Sequence, residues 1–188
     1  MIRSSPNTNQ IGIMVGLVSI TAFFVALCLA YYFSVHSQII WRRIEVPRSL
    51  WFSTVILLAS GASLEAARYS LRRAQLDKYR SRLGLTLLLG LTFLASQLLA
   101  WVNLKQQGVY LESNPHGSVF FAFTGFHGLH LLAGVIWLWY LLRGARRLKD
   151  GEEQPLRHHR WEARAAATYW HYMGALWLVL FAMLLVWD

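Results

Sequence analysis

Five stretches of the chain, roughly 11–35, 49–69, 83–104, 117–142 and 164–187, are nearly free of charge, and the charged residues gather in the short segments between them. Each is close to the ~17–25 apolar residues that a hydrocarbon layer about 30 Å thick requires of a helix. Backbone groups in lipid must pair within their own segment, so the stretches predict α-helices rather than open strands. The two-residue alternation of a membrane barrel is absent. Polar breaks frame the runs: "IEVPRS" carries Pro47 ahead of the second, and "YLESNPHG" carries an Asn-Pro turn ahead of the fourth. The pattern predicts an all-α fold, a single polytopic membrane domain over 1–188 with five transmembrane helices.

Composition agrees. The 188 residues are 56% hydrophobic and only 14% charged, against about a quarter charged in a soluble domain. The net charge of +9 would suit a nucleic-acid binder, but its alternation with apolar runs ties it to membrane topology, and no nucleic-acid partner is expected. Arg3, the six Lys and Arg between Arg68 and Arg82, and the seven between Arg143 and Arg164 share one side of a five-span chain. Arg42, Arg43, Arg48 and Lys105 fall on the other. The positive-inside rule then puts the N-terminus in the cytoplasm and the C-terminus outside. "MIRSSPNTNQ" reads as a short tail before a retained helix, since no small-x-small cleavage site follows it. Cys28 is the only cysteine, which excludes an intrachain disulfide or a cysteine-based metal cluster. Trp41, Trp51, Trp101, Trp161 and Trp187 lie near predicted span ends, as interfacial anchors do. The basic loops should attract anionic phospholipid, each Lys or Arg near the surface contributing about 1 kcal/mol.

Ionisable groups at membrane depth are costly and point to function or to pairing. Glu65 and Arg68 stand three apart in "SLEAARYSLRR", close enough to pair on one helix face as an intramembrane ion pair. A proton-relay role is the other reading of that pair. "FTGFHGLHLLAG" (123–134) sets His127 and His130 one turn apart among Gly125, Gly128 and Gly134, and His171 follows in the fifth run beside Trp170. Three readings of the histidines stay open. As metal or haem ligands they fall short, because a closed zinc site takes about four ligands and a catalytic one three. As packing residues they would hydrogen-bond across helices that the glycines bring close, at roughly 0.6–2 kcal/mol each. As surface residues they would face lipid headgroups or a water-filled cleft. No Ser-His-Asp set, phosphate-cradling loop or carboxylate pair supports independent catalysis.

Four segments together resemble subunit III of the haem–copper terminal oxidases. "FFAFTGFHGLHLLAGVIWL" (120–138) looks like that family's signature helix, and "YWHYMGALWLVLF" (169–181) is similar to its last span. "STVILLASGASLEAAR" (53–68) and "LGLTLLLGLTFLASQLLAW" (83–101) resemble the two helices before the signature. The likeness runs in order over nearly the whole chain. It implies the five-helix bacterial form of a non-redox subunit, with no cofactor or metal of its own, haem and copper being held by partner subunits. It further implies contact with subunit I above all and with subunit II, structural phospholipid, support of proton uptake, and residence in a prokaryotic cytoplasmic membrane, with a respiratory supercomplex as a further partner. On this reading Gly125, His127, Gly128, His130, Gly134, Trp170 and His171 serve helix packing and lipid or subunit interfaces. Quinol oxidase subunit III and the accessory protein of nitric oxide reductase are near alternatives; a membrane di-haem cytochrome b is the distant one. The chain departs from the family where a glutamate is usual in the first helix, since Ile20 stands there, and Gly174 replaces an acidic residue after the Tyr-Trp-His motif.

Overall fold

The computed structural model describes residues 6–36, 49–106, 115–148 and 153–186. They form five helices and, among the described residues, no strand: α1 (Pro6–His36), α2 (Ser49–Arg72), α3 (Leu76–Gln106), α4 (Pro115–Arg147) and α5 (Glu153–Val186). All five are long and apolar enough to cross a membrane. Trp41, Trp187, Pro47 and the loop before Pro115 lie outside the described residues.

At one end of the bundle the helices run well past the apolar stretches. α3 begins at Leu76 rather than near 83, α5 at Glu153 rather than near 164, and α2 and α4 extend to Arg72 and Arg147. All these extensions lie at the arginine-rich end. Hydropathy marks where lipid stops, whereas a helix continues as long as its carbonyls and amides are paired. At the ends of α2 and α4 arginine supplies that pairing. Arg80 donates to the carbonyls of Ala145 and Leu148 at the end of α4, at 3.0 and 2.9 Å. Arg82 donates to Ala66 O of α2 at 2.8 Å, and Arg160 of α5 reaches the carbonyls of Leu71 and Arg72. Positive groups at helix C-termini also oppose the negative end of the macrodipole.

α2 and α3 are joined by a tight turn. Gln75 N–H donates to Ser70 O at 3.0 Å and Ala74 N–H to Leu71 O at 3.2 Å, the two bonds of a Schellman cap. Ala74 takes the left-handed conformation at φ 56°, a place usually given to glycine. The chain thereby reverses within three residues, and α2 and α3 lie antiparallel.

α2, α3, α4 and α5 form a ring in which each packs on two neighbours, and α1 sits outside it against α4 and α5 only. The ring encloses Leu64, Leu83, Phe93, Leu131, Leu138, Trp170 and Trp177, all essentially inaccessible. α1 is held by Phe24, which is buried with Phe123 and Leu180. A hydroxyl pair between Thr21 and Tyr172 adds to it. Only 6% of its apolar window is buried. Leucines such as Leu58, Leu88, Leu98 and Leu129 are more than half exposed on the ring's outside. That surface would be an aggregation hazard in water and suits lipid or a neighbouring subunit.

Candidate functional site

The centre of the ring is organised by tryptophan. Trp170 of α5 is 1% exposed, and its indole N–H donates to Ser60 Oγ of α2 at 3.0 Å. Two turns on, Trp177 donates to Thr54 Oγ1 of α2 at 3.0 Å. On the far side, Trp101 of α3 donates to Thr124 Oγ1 of α4 at 2.9 Å. Each accepting hydroxyl in turn donates to a carbonyl of its own helix: Ser60 to Leu57, Thr54 to Leu50 and Thr124 to Phe120. Donor and acceptor are both satisfied, which a buried polar group in lipid requires. Gln97 of α3 repeats the device without an aromatic ring, its amide donating to Ser53 Oγ at 3.0 Å.

The glycines receive rings. A Cβ built on Gly90 would meet Trp170 Cη2 at 2.7 Å, and one on Gly134 would meet Tyr169 at 3.0 Å and Trp170 Cε3 at 3.2 Å. Trp170 therefore fills space left by α3 and α4 while bonding α2, so one side chain of α5 touches all three other ring helices. Trp101 lies over Gly125 at 3.3 Å in the same manner. Gly128 makes no such approach, its nearest neighbour being Leu94 Cδ2 at 3.9 Å.

The three histidines occupy separate places. His127 is 1% exposed, edge-on to Phe93 and tilted against Trp177 at 5.2 Å between ring centres. Neither of its ring nitrogens has a hydrogen-bond partner among the described residues. His130 donates from Nδ1 to Phe126 O of its own helix at 2.7 Å, its ring lies 5.8 Å from that of Phe24 on α1, and its backbone carbonyl accepts from Tyr169 Oη at 2.8 Å. His171 points out of the ring, with its Nε2 2.8 Å from Glu65 Oε1. Among the described residues, no three His, Cys, Asp or Glu side chains gather as a metal site would need.

Glu65 and Arg68 do pair, at 2.5 Å on one face of α2. His171 is the third member, so the carboxylate is bridged to α5 as well as to its own helix. Ile20 is partly buried against the apolar core.

The family model described as cytochrome c oxidase subunit III matches residues 6–188. The chain belongs to the cytochrome c oxidase subunit III family. It is 29% identical over 184 residues to the probable cytochrome c oxidase subunit 3 of Mycobacterium tuberculosis, covering 95% of this chain and 88% of the relative. Against the subunit 3 of Corynebacterium diphtheriae it is 30% identical over 183 residues, covering 94% and 86%. The subunit 3 of the crustacean Artemia franciscana is 32% identical over 185 residues, covering 94% of this chain and 68% of that one. Membership of the subunit III family makes the chain a multi-pass membrane component of an oxidase assembly. Its tryptophan, hydroxyl and glycine arrangement serves to hold four helices in one ring.

Sequence reasoning placed Trp101 among the interfacial anchors and did not find the indole-to-hydroxyl bonds. The signal was present as hydroxyl residues inside apolar runs, at Thr54, Ser60 and Thr124. The link from His171 to Glu65 was missed as well. The two are 106 positions apart, and only the antiparallel register of α2 and α5 brings them level.

Proposed function

We propose that this chain is the non-redox subunit III of a proton-pumping haem–copper oxidase in a bacterial cytoplasmic membrane, holding no haem or copper itself. Its task is to stabilise the catalytic subunit I, beside subunit II, and to keep structural phospholipid in place. The observation that carries this reading is the family match over residues 6–188. Geometry supports it in two ways. The ring is closed by indole, hydroxyl and glycine contacts and its histidines are dispersed, which suits a scaffold. α1 buries little of itself and presents Ile11, Met14, Val15 and Val18 outward, which suits a face that a larger subunit covers.

The relatives bear the name of cytochrome c oxidases, so cytochrome c is the donor proposed for the whole complex rather than quinol. Support of proton uptake would come through holding subunit I in shape, not through a carboxylate in α1, where Ile20 stands. Glu65, the one carboxylate described inside an apolar stretch, is engaged by Arg68 and His171. The basic ends of α2 to α5 support an orientation with the N-terminus in the cytoplasm and the C-terminus outside.

Purification of the native complex through a tag on this chain tests the proposal. Subunits I and II should co-purify, with the haem absorbance of the complex and none in the isolated chain. Stoichiometric haem in the isolated chain would instead support a membrane cytochrome b.

A further inference from the structure

α3 and α5 stand at opposite corners of the ring, each packed on α2 and α4 and, among the described residues, with no close approach of their backbones. At the arginine-rich end one side-chain bond crosses that diagonal. Tyr79 Oη of α3 lies 3.0 Å from His159 Nε2 of α5, the rings meeting edge to face at 5.6 Å between centres. Both are buried, at 0% and 5% exposure. His159 also lies on α4, where a Cβ built on Gly144 would meet its Cε1 at 3.2 Å. One imidazole thus holds three helices together. Its second nitrogen, Nδ1, is 3.8 Å from Glu162 Oε2, and the other oxygen of Glu162 is 3.1 Å from Nε2 of the exposed His158. Among the described residues, the titratable groups that face His159 are therefore Tyr79 from α3, and Glu162 and His158 from its own helix. Arg80 of α3 is engaged by the carbonyls of Ala145 and Leu148 and by Asp77, and Arg143, Arg146 and Arg147 of α4 are exposed.

The phenol fixes how the imidazole carries its proton. Tyr79 O–H has no other acceptor among the described residues, so it donates to Nε2, and the ring keeps its hydrogen on Nδ1, toward Glu162. A second proton would have to go on Nε2. Two hydrogens would then oppose each other across the bond, and the buried hydroxyl would have to turn to where nothing accepts it, a costly state. We propose that Tyr79 and His159 form a proton-operated latch, which ties α3 to α5 while the imidazole is neutral and opens that end of the ring when the adjoining solution turns acidic. His159 precedes the apolar run of α5, and Glu162 and His158 connect it to water. Burial holds its imidazole below the ordinary range, which Glu162 offsets only in part. The folded state therefore prefers the neutral ring. The latch is complete above the ordinary imidazole value of about 6.5. It weakens as pH falls below that value, the opened population growing up to about tenfold per pH unit. Nothing in the latch depends on the oxidase reading.

Spin labels on α3 and α5 test the latch in the full-length chain, reconstituted in nanodiscs with whatever subunits co-purify. In a Cys28→Ala background, Lys78→Cys and Arg157→Cys place the labels at exposed positions near it, and pulsed EPR reads their separation without itself depending on pH. The distance should be single and narrow at about pH 7.5 and gain a longer component by about pH 5, on either side of the ordinary imidazole value. His159→Gln, whose carbonyl can accept the Tyr79 hydrogen but takes no proton, should keep the narrow distance at both. His158→Gln should respond like the parent, and loss of the response there would place the titration on the surface and overturn the latch. An unchanged distance in the parent would overturn it too. So would an equal response in His159→Gln, which would move the proton to His127 or to Glu65 and His171. Where His159→Gln does not fold, heteronuclear NMR of the parent's imidazoles decides. The His159 ring should stay neutral to below about pH 6 and take up its proton as the longer distance appears, whereas protonation at or above the ordinary value would refute the proposal.

Discussion

Among the described residues, Ala74 is the one non-glycine residue with left-handed backbone. At φ 56° its Cβ crowds the following carbonyl, and left-handed backbone costs an L-residue roughly 1–2 kcal/mol that glycine avoids. Ala74→Gly should therefore raise stability by about 0.5–1 kcal/mol, part of the relief being offset by the unfolded chain's greater freedom. A higher midpoint in a detergent thermal-shift assay would show it, and an unchanged or lower one would argue against strain at the cap. Gly90 is the opposite case. A methyl group there would sit 2.7 Å from a ring carbon of Trp170, and an indole pinned by its bond to Ser60 cannot give way cheaply. Gly90→Ala should cost on the order of 1–3 kcal/mol, as overpacking does, whereas Gly128→Ala, with 3.9 Å to spare, should cost little. His127 gives the third prediction. Its imidazole makes ring contacts and no hydrogen bond among the described residues, so an apolar ring of similar shape should serve. His127→Phe is expected to leave stability within about 1 kcal/mol of the parent, because a polar group that makes no bond can be replaced nearly neutrally. A larger loss would show that the imidazole has a partner, and Gln97 Oε1, also buried and unpaired, would be the first place to look for a bridging water.

At the scale of the helix, the contrast lies between what hydropathy records and what register decides. The five apolar runs were legible because lipid imposes a length and forbids charge within it, and those two constraints act on sequence directly. The ends of α2 and α4 beyond the apolar runs were not, because their last carbonyls are paired by Arg160 and Arg80 reaching over from other helices. The same limit applies to the site. His127, His130 and the glycines stood out by composition, and Glu65 with Arg68 by spacing, since both signals lie within one helix. That Trp170 would meet Ser60, or His171 meet Glu65, depends on how α5 slides along α2, and no local pattern states it. The register itself is open to test through the indoles. Trp170 and Trp177 donate to Ser60 and Thr54, so both rungs fix the same slide of α5 along α2. Trp177→Phe should lose about 1 kcal/mol for the missing bond, since Thr54 keeps its own carbonyl acceptor. Trp170→Phe should lose more, because it also empties the space between Gly90 and Gly134. Chemical-denaturation midpoints of the two variants would rank them, and the reverse order would mean that the indole bonds, not the fill, hold the ring.

For the molecule as a whole, charge and packing give the two ends of the bundle different characters. At one end the arginines of α3 and α5 bond carbonyls of neighbouring helices, and Tyr79 and His159 meet in the interior at 3.0 Å between Oη and Nε2. At the other, the described basic residue is Lys105, at the exposed end of α3. Those arginines thus have a structural use that does not depend on which way the chain faces. Their number on one side is expected to set the direction of insertion, because each resists transfer across the bilayer. The expected topology has Gln154 on the cytoplasmic side and the end of α5 outside. Cys28 is the only native thiol, so a Cys28→Ala background carrying Gln154→Cys or Leu185→Cys gives one probe at each end. In sealed, right-side-out cells a membrane-impermeant maleimide should label the Leu185 variant and spare the Gln154 variant until the membrane is opened. Labelling in the reverse order would turn the whole bundle over, placing its arginine-rich end outside and leaving every contact within the ring unchanged.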